Sequence, residues 1–170
     1  MPGFAATAGL PCSFPRRPRQ GVSEGIDIRE ISEAIEIDAP AAEVWAVLTD
    51  FPRYADWNPF MVDAAGTPAL GERLTVRLVP PGRRGITMKP TVTALKPGRS
   101  FRWLGHLLVP GLFDGEHIHE LEAGEGHGTR YVQREVFRGV LVPFVRRMLD
   151  DTAGGFRAMN EALKARVEHH

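Results

Sequence analysis

Between residues 59 and 139 the hydrophobic pattern alternates with period two, and beyond residue 141 the apolar residues recur three and four apart instead. That change of period constrains the fold more than any other feature. Alternating segments lie at 59–65, 72–79, 85–96, 100–108, 114–123 and 128–139. They are separated by Gly66-Thr67-Pro68, Pro80-Pro81-Gly82, Lys96-Pro97-Gly98, Pro110-Gly111 and Gly124-Glu125-Gly126. Glycine supplies positive φ and proline presets a turn, so breaks this short join antiparallel neighbours; a parallel crossover needs about a dozen residues or more. Upstream, Ile31, Glu33, Ile35 and Ile37 alternate with Ser32, Ala34 and Glu36, which reads as a half-buried strand ended by Asp38-Ala39-Pro40. Residues 41–50 place Val44, Trp45, Val47 and Leu48 on one helical face after Pro40, and Pro52 opens a second short helix over 52–57.

The last segment carries Phe144, Val145, Met148, Leu149, Thr152, Phe156, Met159, Leu163 and Val167 on one stripe, a single amphipathic helix over 141–167. A sheet of this size needs its apolar face covered, and only this helix is long enough. The expected fold is α+β: a curved seven-stranded antiparallel sheet wrapped around the C-terminal helix, with two short helices after the first strand. Space remains between sheet and helix unless large side chains fill it. Gly154-Gly155 in mid-helix cost roughly 1 kcal/mol each relative to alanine. A close approach to another surface, room for a ligand, or a local kink would each account for them.

One domain is expected over 26–168. Residues 1–25 carry Pro2, Pro11, Pro15 and Pro18 with four glycines and no period, so they read as a disordered leader. An alternative is that translation starts near Val22. Lys+Arg and Asp+Glu balance at 21 each, which excludes a generally basic nucleic-acid binder. A single cysteine, Cys12, makes no internal disulfide and no thiolate-rich metal site. No apolar stretch reaches the roughly 18 to 20 residues of a membrane span. No basic region precedes the apolar start and no hydrophobic stretch follows Arg16-Arg17, so a cytoplasmic protein with no integral membrane segment is expected.

There is no Gly-x-Ser-x-Gly, no phosphate-binding Gly-x-x-x-x-Gly-Lys and no dinucleotide fingerprint, and Gly124-Glu125-Gly126-His127-Gly128 is a hairpin turn; no cofactor is expected. His117-Ile118-His119 stands out. With period two, Phe113, Gly115, His117, His119 and Leu121 share one face, and Asp114, Glu116, Ile118, Glu120 and Glu122 the wetter other. A turn near Gly126 sets His117 against Glu135 and His119 against Gln133, with Tyr131 and Phe137 on the same inward face. Arg130, Arg134 and Arg138 then lie outside, opposite the carboxylates. Two readings stay open. In one, Glu135 fixes the imidazole tautomer and His117 is a general base or orients a ligand's carbonyl or hydroxyl. In the other, these groups satisfy one another and ordered water. A metal site lacks a third ligand, so none is expected. The remaining inward candidates are Phe60 and Val62; Leu74, Val76 and Leu78; Ile86, Met88, Pro90, Val92 and Ala94; Phe101 and Trp103; and helical Met148, Thr152, Phe156 and Met159.

The segments Ile37-Asp38-Ala39-Pro40-Ala41-Ala42-Glu43-Val44-Trp45 and Asp50-Phe51-Pro52-Arg53-Tyr54-Ala55-Asp56-Trp57-Asn58-Pro59 resemble the opening of SRPBCC proteins, the START, pollen-allergen-like and polyketide-cyclase superfamily. Gly111-Leu112-Phe113-Asp114-Gly115-Glu116-His117, Gly128-Thr129-Arg130 and Phe137-Arg138-Gly139 resemble a bacterial branch of it. The resemblance covers residues 29–165. It implies a helix-grip fold and places Trp57 and Asn58 near the cavity entrance; no single catalytic signature unites the superfamily, so none is carried over. The expected function is binding or transport of a small hydrophobic ligand (lipid, polyketide, quinone or steroid-like) by a monomer or homodimer. One alternative is a cyclase or dehydratase using His117 and Glu135. The other is a co-chaperone-like interaction module, which a packed interior would favour.

Overall fold

The computed structural model describes residues 27–107 and 109–169; the leader expected over residues 1–25 lies outside them. The first strand, β1 (Ile28–Ile37), precedes helix α1 (Ala41–Thr49), a 3-10 turn at Phe51–Arg53 and the short helix α2 (Tyr54–Trp57). Seven further strands follow: β2 (Met61–Ala65), β3 (Thr75–Leu78), β4 (Ile86–Met88), β5 (Thr91–Lys96), β6 (Ser100–His106), β7 (Asp114–Ala123) and β8 (Thr129–Arg138). Helix α3 (Arg146–Glu168) closes the fold. The strands form a five-stranded sheet in the order β1-β8-β7-β6-β5 and a three-stranded sheet β2-β3-β4, every pairing antiparallel. An Arg73–Thr91 bridge, with the Leu74 N–H donating to the Pro90 carbonyl, joins one to the other. The result is one curved surface gripping α3.

The segment 85–96, expected as one strand, is divided. The alternation Ile86, Met88, Pro90, Val92 runs unbroken through it, but Pro90 has no N–H to give a ladder, and the chain passes there from one sheet to the other. Residues 72–74 likewise leave the expected strand to bond β5 before β3 begins. Two inward expectations fall at irregularities: register shifts between Met61 and Asp63 and between Val92 and Ala94 leave Val62 and Ala94 only half-buried. Ile86, at the hairpin end beyond the helix's cover, is 44% exposed.

The terminal helix starts later than the apolar spacing predicts. Pro143 sits in a 3-10 turn at Val142–Phe144 that precedes α3, so Phe144 lies off the helix stripe and is 81% exposed. Of the three accounts of Gly154-Gly155, close approach holds for Gly155: a Cβ there would fall 2.2 Å from the Phe60 ring. Phe60 in turn packs edge-on against Phe156, centroids 5.7 Å apart. The main core lies between the strands and α1 and α3, while Phe113, Phe137, Val142 and Leu149 form a smaller cluster at the start of α3.

The outer face is the charge ladder expected of it. Arg130 pairs with Glu122 (2.7 Å) and Glu36 (3.4 Å), Arg134 with Glu120, and Arg138 with Glu116 (3.8 Å), with Arg102 also on Glu120 (3.3 Å). Acidic and basic rows therefore alternate strand by strand from β1 to β6. No described helix is long and apolar enough to cross a membrane.

Candidate functional site

The β7–β8 pairing sets His117 opposite Glu135 and His119 opposite Gln133, and β6 sets Trp103 opposite His117 and Phe101 opposite His119. All of these side chains are buried on the concave side, facing α3. The rings form a continuous stack. Phe101 lies on His119 (centroids 4.2 Å), His119 on His117 (4.3 Å), and His117 against Phe156 from the helix (4.8 Å). Trp103 meets both imidazoles edge-on, at 5.2 and 5.0 Å.

A chain of hydrogen bonds crosses from sheet to helix beside the stack. The Gln133 amide donates through Nε2 to Asn160 Oδ1 at 2.7 Å, and its Oε1 accepts from His117 Nε2–H at 3.1 Å. Gln133, not the Glu135 opposite, is thus the partner that fixes the His117 tautomer, and Nδ1 is left as the acceptor. His119 Nδ1 lies 2.6 Å from the Tyr131 hydroxyl, while its Nε2 is buried without a partner, as is Asn160 Nδ2. Burial, only partly offset by the Gln133 bond, pushes His117 down to about 3. Burial and the neighbouring His117 hold His119 well below the usual histidine range. Both imidazoles are neutral at pH 7.

Glu135 stands outside this network. Its carboxyl has no hydrogen-bond or ionic partner among the described residues, and burial alone pushes it up to about 8. It forms the wall of a small cavity with His117 and Trp103, roofed by Val76, Leu78, Met88 and Pro90. Gly105 and Gly115 complete the lining because they have no side chains. A Cβ on Gly115 would stand 2.6 Å from Glu135 Oε1, and one on Gly105 would stand 2.7 Å from Met88 Cε. The enclosed free space is only ≈ 20 Å³, room for about one water.

The candidate residues therefore separate by place. Met88, Trp103, His117 and Glu135 line the cavity, whereas Phe60, Phe101, His119, Tyr131, Gln133 and Phe156 fill the interior behind it. Phe137 packs on Phe113 in the smaller cluster, and Thr152 donates back to the Met148 carbonyl at 2.9 Å. Met148 faces a separate outer groove. Trp57 and Asn58 are not at the cavity. Trp57 borders a depression with Asp50, Arg53 and Arg166, and Asn58 Oδ1 accepts from the N–H groups of Phe60 (3.0 Å) and Met61 (2.8 Å), turning the chain into β2. Asn160, Gly105 and Gly115 also belong to this site, though none of them is among the candidates read from the sequence. A polar residue within the apolar stripe of α3 was the signal for Asn160. Among the described residues no group of three or more potential metal ligands occurs.

Solved structures share this architecture at low identity. An aromatase/cyclase, Zhui, from Streptomyces sp. R1128 aligns with TM-score 0.68 and 18% identity, over 84% of this chain and 95% of its own. Norcoclaurine synthase from Thalictrum flavum, solved with dopamine and hydroxybenzaldehyde, gives 0.65 and 15% over 85% and 89%. A START superfamily protein from Mycobacterium smegmatis gives 0.63 and 17% over 82% and 97%. No curated protein sequence matches the chain. A family model described as polyketide cyclase / dehydrase and lipid transport matches residues 29–168, and with that match across nearly all of the described fold, the chain belongs to this family.

Proposed function

We propose that the protein binds a small, largely hydrophobic molecule whose polar end enters the cavity beside Glu135 and His117. The observation that carries this reading is the unpartnered Glu135 carboxyl. The carboxyl faces the cavity with no hydrogen-bond partner among the described residues, while His117, Gln133 and Asn160 bond in a chain and His119 bonds Tyr131. A neutral Glu135 donates one hydrogen bond and His117 Nδ1 accepts one, which suits a hydroxyl or carbonyl. The cavity as it stands holds no such ligand, so binding requires its roof to yield. Met88 is the side chain suited to that, being unbranched, with three rotatable bonds and its tip lying over Gly105. Lipids, polyketides, quinones and steroid-like molecules all present an apolar body with an oxygen at one end.

Native mass spectrometry and thermal shift against those classes test the proposal. At least one class is expected to bind and raise the melting temperature, with the effect lost in Glu135→Leu. No bound species and no stabilisation by any class would remove it. A cyclase or dehydratase is the second reading, favoured by one observation: the same cavity wall presents a carboxyl that stays protonated to about pH 8 beside an imidazole that stays neutral down to about 3. That is a proton donor and an uncharged hydrogen-bond acceptor at one site. In that case Glu135→Gln abolishes turnover while binding persists. The dense packing behind the cavity speaks for an interaction module, and the unpaired carboxyl speaks against it. The cytoplasmic location and the monomer or homodimer expected from the sequence stay part of this proposal.

A further inference from the structure

A groove of ≈ 410 Å³ lies outside the cavity, between the β3–β4 turn and the start of α3. Its size falls within the roughly 300 to 1,000 Å³ of sites for small organic molecules. Its floor is apolar, with Ile86, Phe144 and Met148, and its rim carries Arg83, Arg84 and Arg147 beside Asp151. Phe144 and Ile86 are 81% and 44% exposed, an apolar surface that water covers poorly.

The charge here is unlike that on the outer sheet face. On the outer sheet face Arg102, Arg130, Arg134 and Arg138 each have a carboxylate partner. At the groove only Arg83 does, on Asp151 at 2.7 Å; Arg84 and Arg147 make no ion pair among the described residues. The first turn of α3 holds Arg146 and Arg147 and no acidic residue, which sets positive charge against the positive end of the helix dipole. Such a placement destabilises the free protein and is relieved by an anion. The groove also continues the cavity's own wall. Ile86 is paired with Leu78 and Met88 with Val76, so Ile86 projects from the sheet face that Leu78, Val76 and Met88 present to the cavity.

We infer that this groove is a site for an amphiphilic anion, a carboxylate or phosphate head held by Arg84 and Arg147 with its apolar chain against Ile86, Phe144 and Met148. The inference names the charge at the ligand's outer end and rests on the proposed function only for what the inner end meets. Calorimetric titration with dodecanoate, dodecyl phosphate and the neutral dodecanol, below their micellar concentrations, tests it. Both anions are expected to bind about tenfold or more tighter than dodecanol, the scale of a charge-assisted hydrogen bond. Arg84→Gln/Arg147→Gln, at exposed positions, should bring the anions down to the dodecanol level and leave dodecanol unchanged, and Phe144→Ser should weaken all three. Equal affinities for anion and alcohol, an unaltered double variant, or no binding of any of the three would overturn it. Anion binding that ignores the double variant but responds to Glu135→Gln would overturn the groove site while supporting the interior one. Glu135 variants that change nothing while the arginine variants act would support the groove and count against the interior site.

Discussion

Glu135 couples the stability of the molecule to pH in a direction opposite to that of most carboxylates. Its folded pKa, raised to about 8 by burial, exceeds the unfolded value of about 4.3. The proton therefore favours the folded state: no penalty exists below the unfolded pKa, and one accumulates as pH rises through 5, 6 and 7 until it levels near the folded value. The imidazoles act the other way. With folded pKa values depressed, they are without penalty above about 6.5 and destabilise progressively as pH falls toward about 3. Urea denaturation of Glu135→Gln against the parent should show a stability gap that widens from pH 4.5 to 8.5 and reaches on the order of a few kcal/mol. A gap independent of pH would mean that Glu135 is ionised in the folded protein. The inward placement of these residues was legible in the period-two faces and the turn at Gly126. The Gln133 partnership was not, because residues 133 and 135 share one face and have side chains of equal length, so which of them meets His117 depends on their rotamers.

Among the elements, α3 carries the sharpest contrast. Gly154 and Gly155 are indistinguishable in sequence, yet a Cβ on Gly154 meets nothing nearer than 3.9 Å while one on Gly155 would enter the Phe60 ring. Gly154→Ala should therefore stabilise by about 1 kcal/mol through helix propensity. Gly155→Ala should destabilise by about 1 to 3 kcal/mol through overpacking; chemical denaturation of the two single variants decides, and equal effects would contradict the close contact. Helix spacing located this element but not its beginning, since Pro143 admits a 3-10 turn that keeps an apolar rhythm without helical phase. The break at Pro90 was hidden for a similar reason. Alternation persists across two sheets when both turn the same face inward, and only the missing N–H marks the passage. Only the resemblance points Trp57 and Asn58 toward the cavity entrance; Trp57 lies instead beside Asp50 and Arg166, and Asn58 turns the chain into β2.

On the scale of the whole molecule, zero net charge does not make every surface locally neutral. The outer sheet face is neutralised row by row, and its exposed pairs contribute little individually. Arg138→Gln, removing a 3.8 Å contact with Glu116 at half-exposed positions, should change the unfolding free energy by less than about 1 kcal/mol, as thermal and urea unfolding can both measure. The groove end holds positive charge that is not matched locally. The overall topology was readable because a long amphipathic helix after a run of hairpins has one economical way to cover them. Interior volume was not readable, since the same aromatic and aliphatic residues line an empty chamber or fill it.

The Phe60–Gly155 contact also has a mechanical meaning. The α3 backbone rests there directly on the Phe60 ring, with no helix side chain between them, so the two layers have no slack at that level. A widening between helix and sheet is then a tilt of α3 about this fulcrum, a motion separate from the rearrangement of Met88 over the cavity. Toward Glu168 the helix is held by Lys164 and Glu168, which bond the Glu36 carbonyl and the Asp38 N–H. The arm free to swing is the one that begins at Arg146, where the Arg83–Asp151 pair is the only ionic tie to the β3–β4 turn among the described residues.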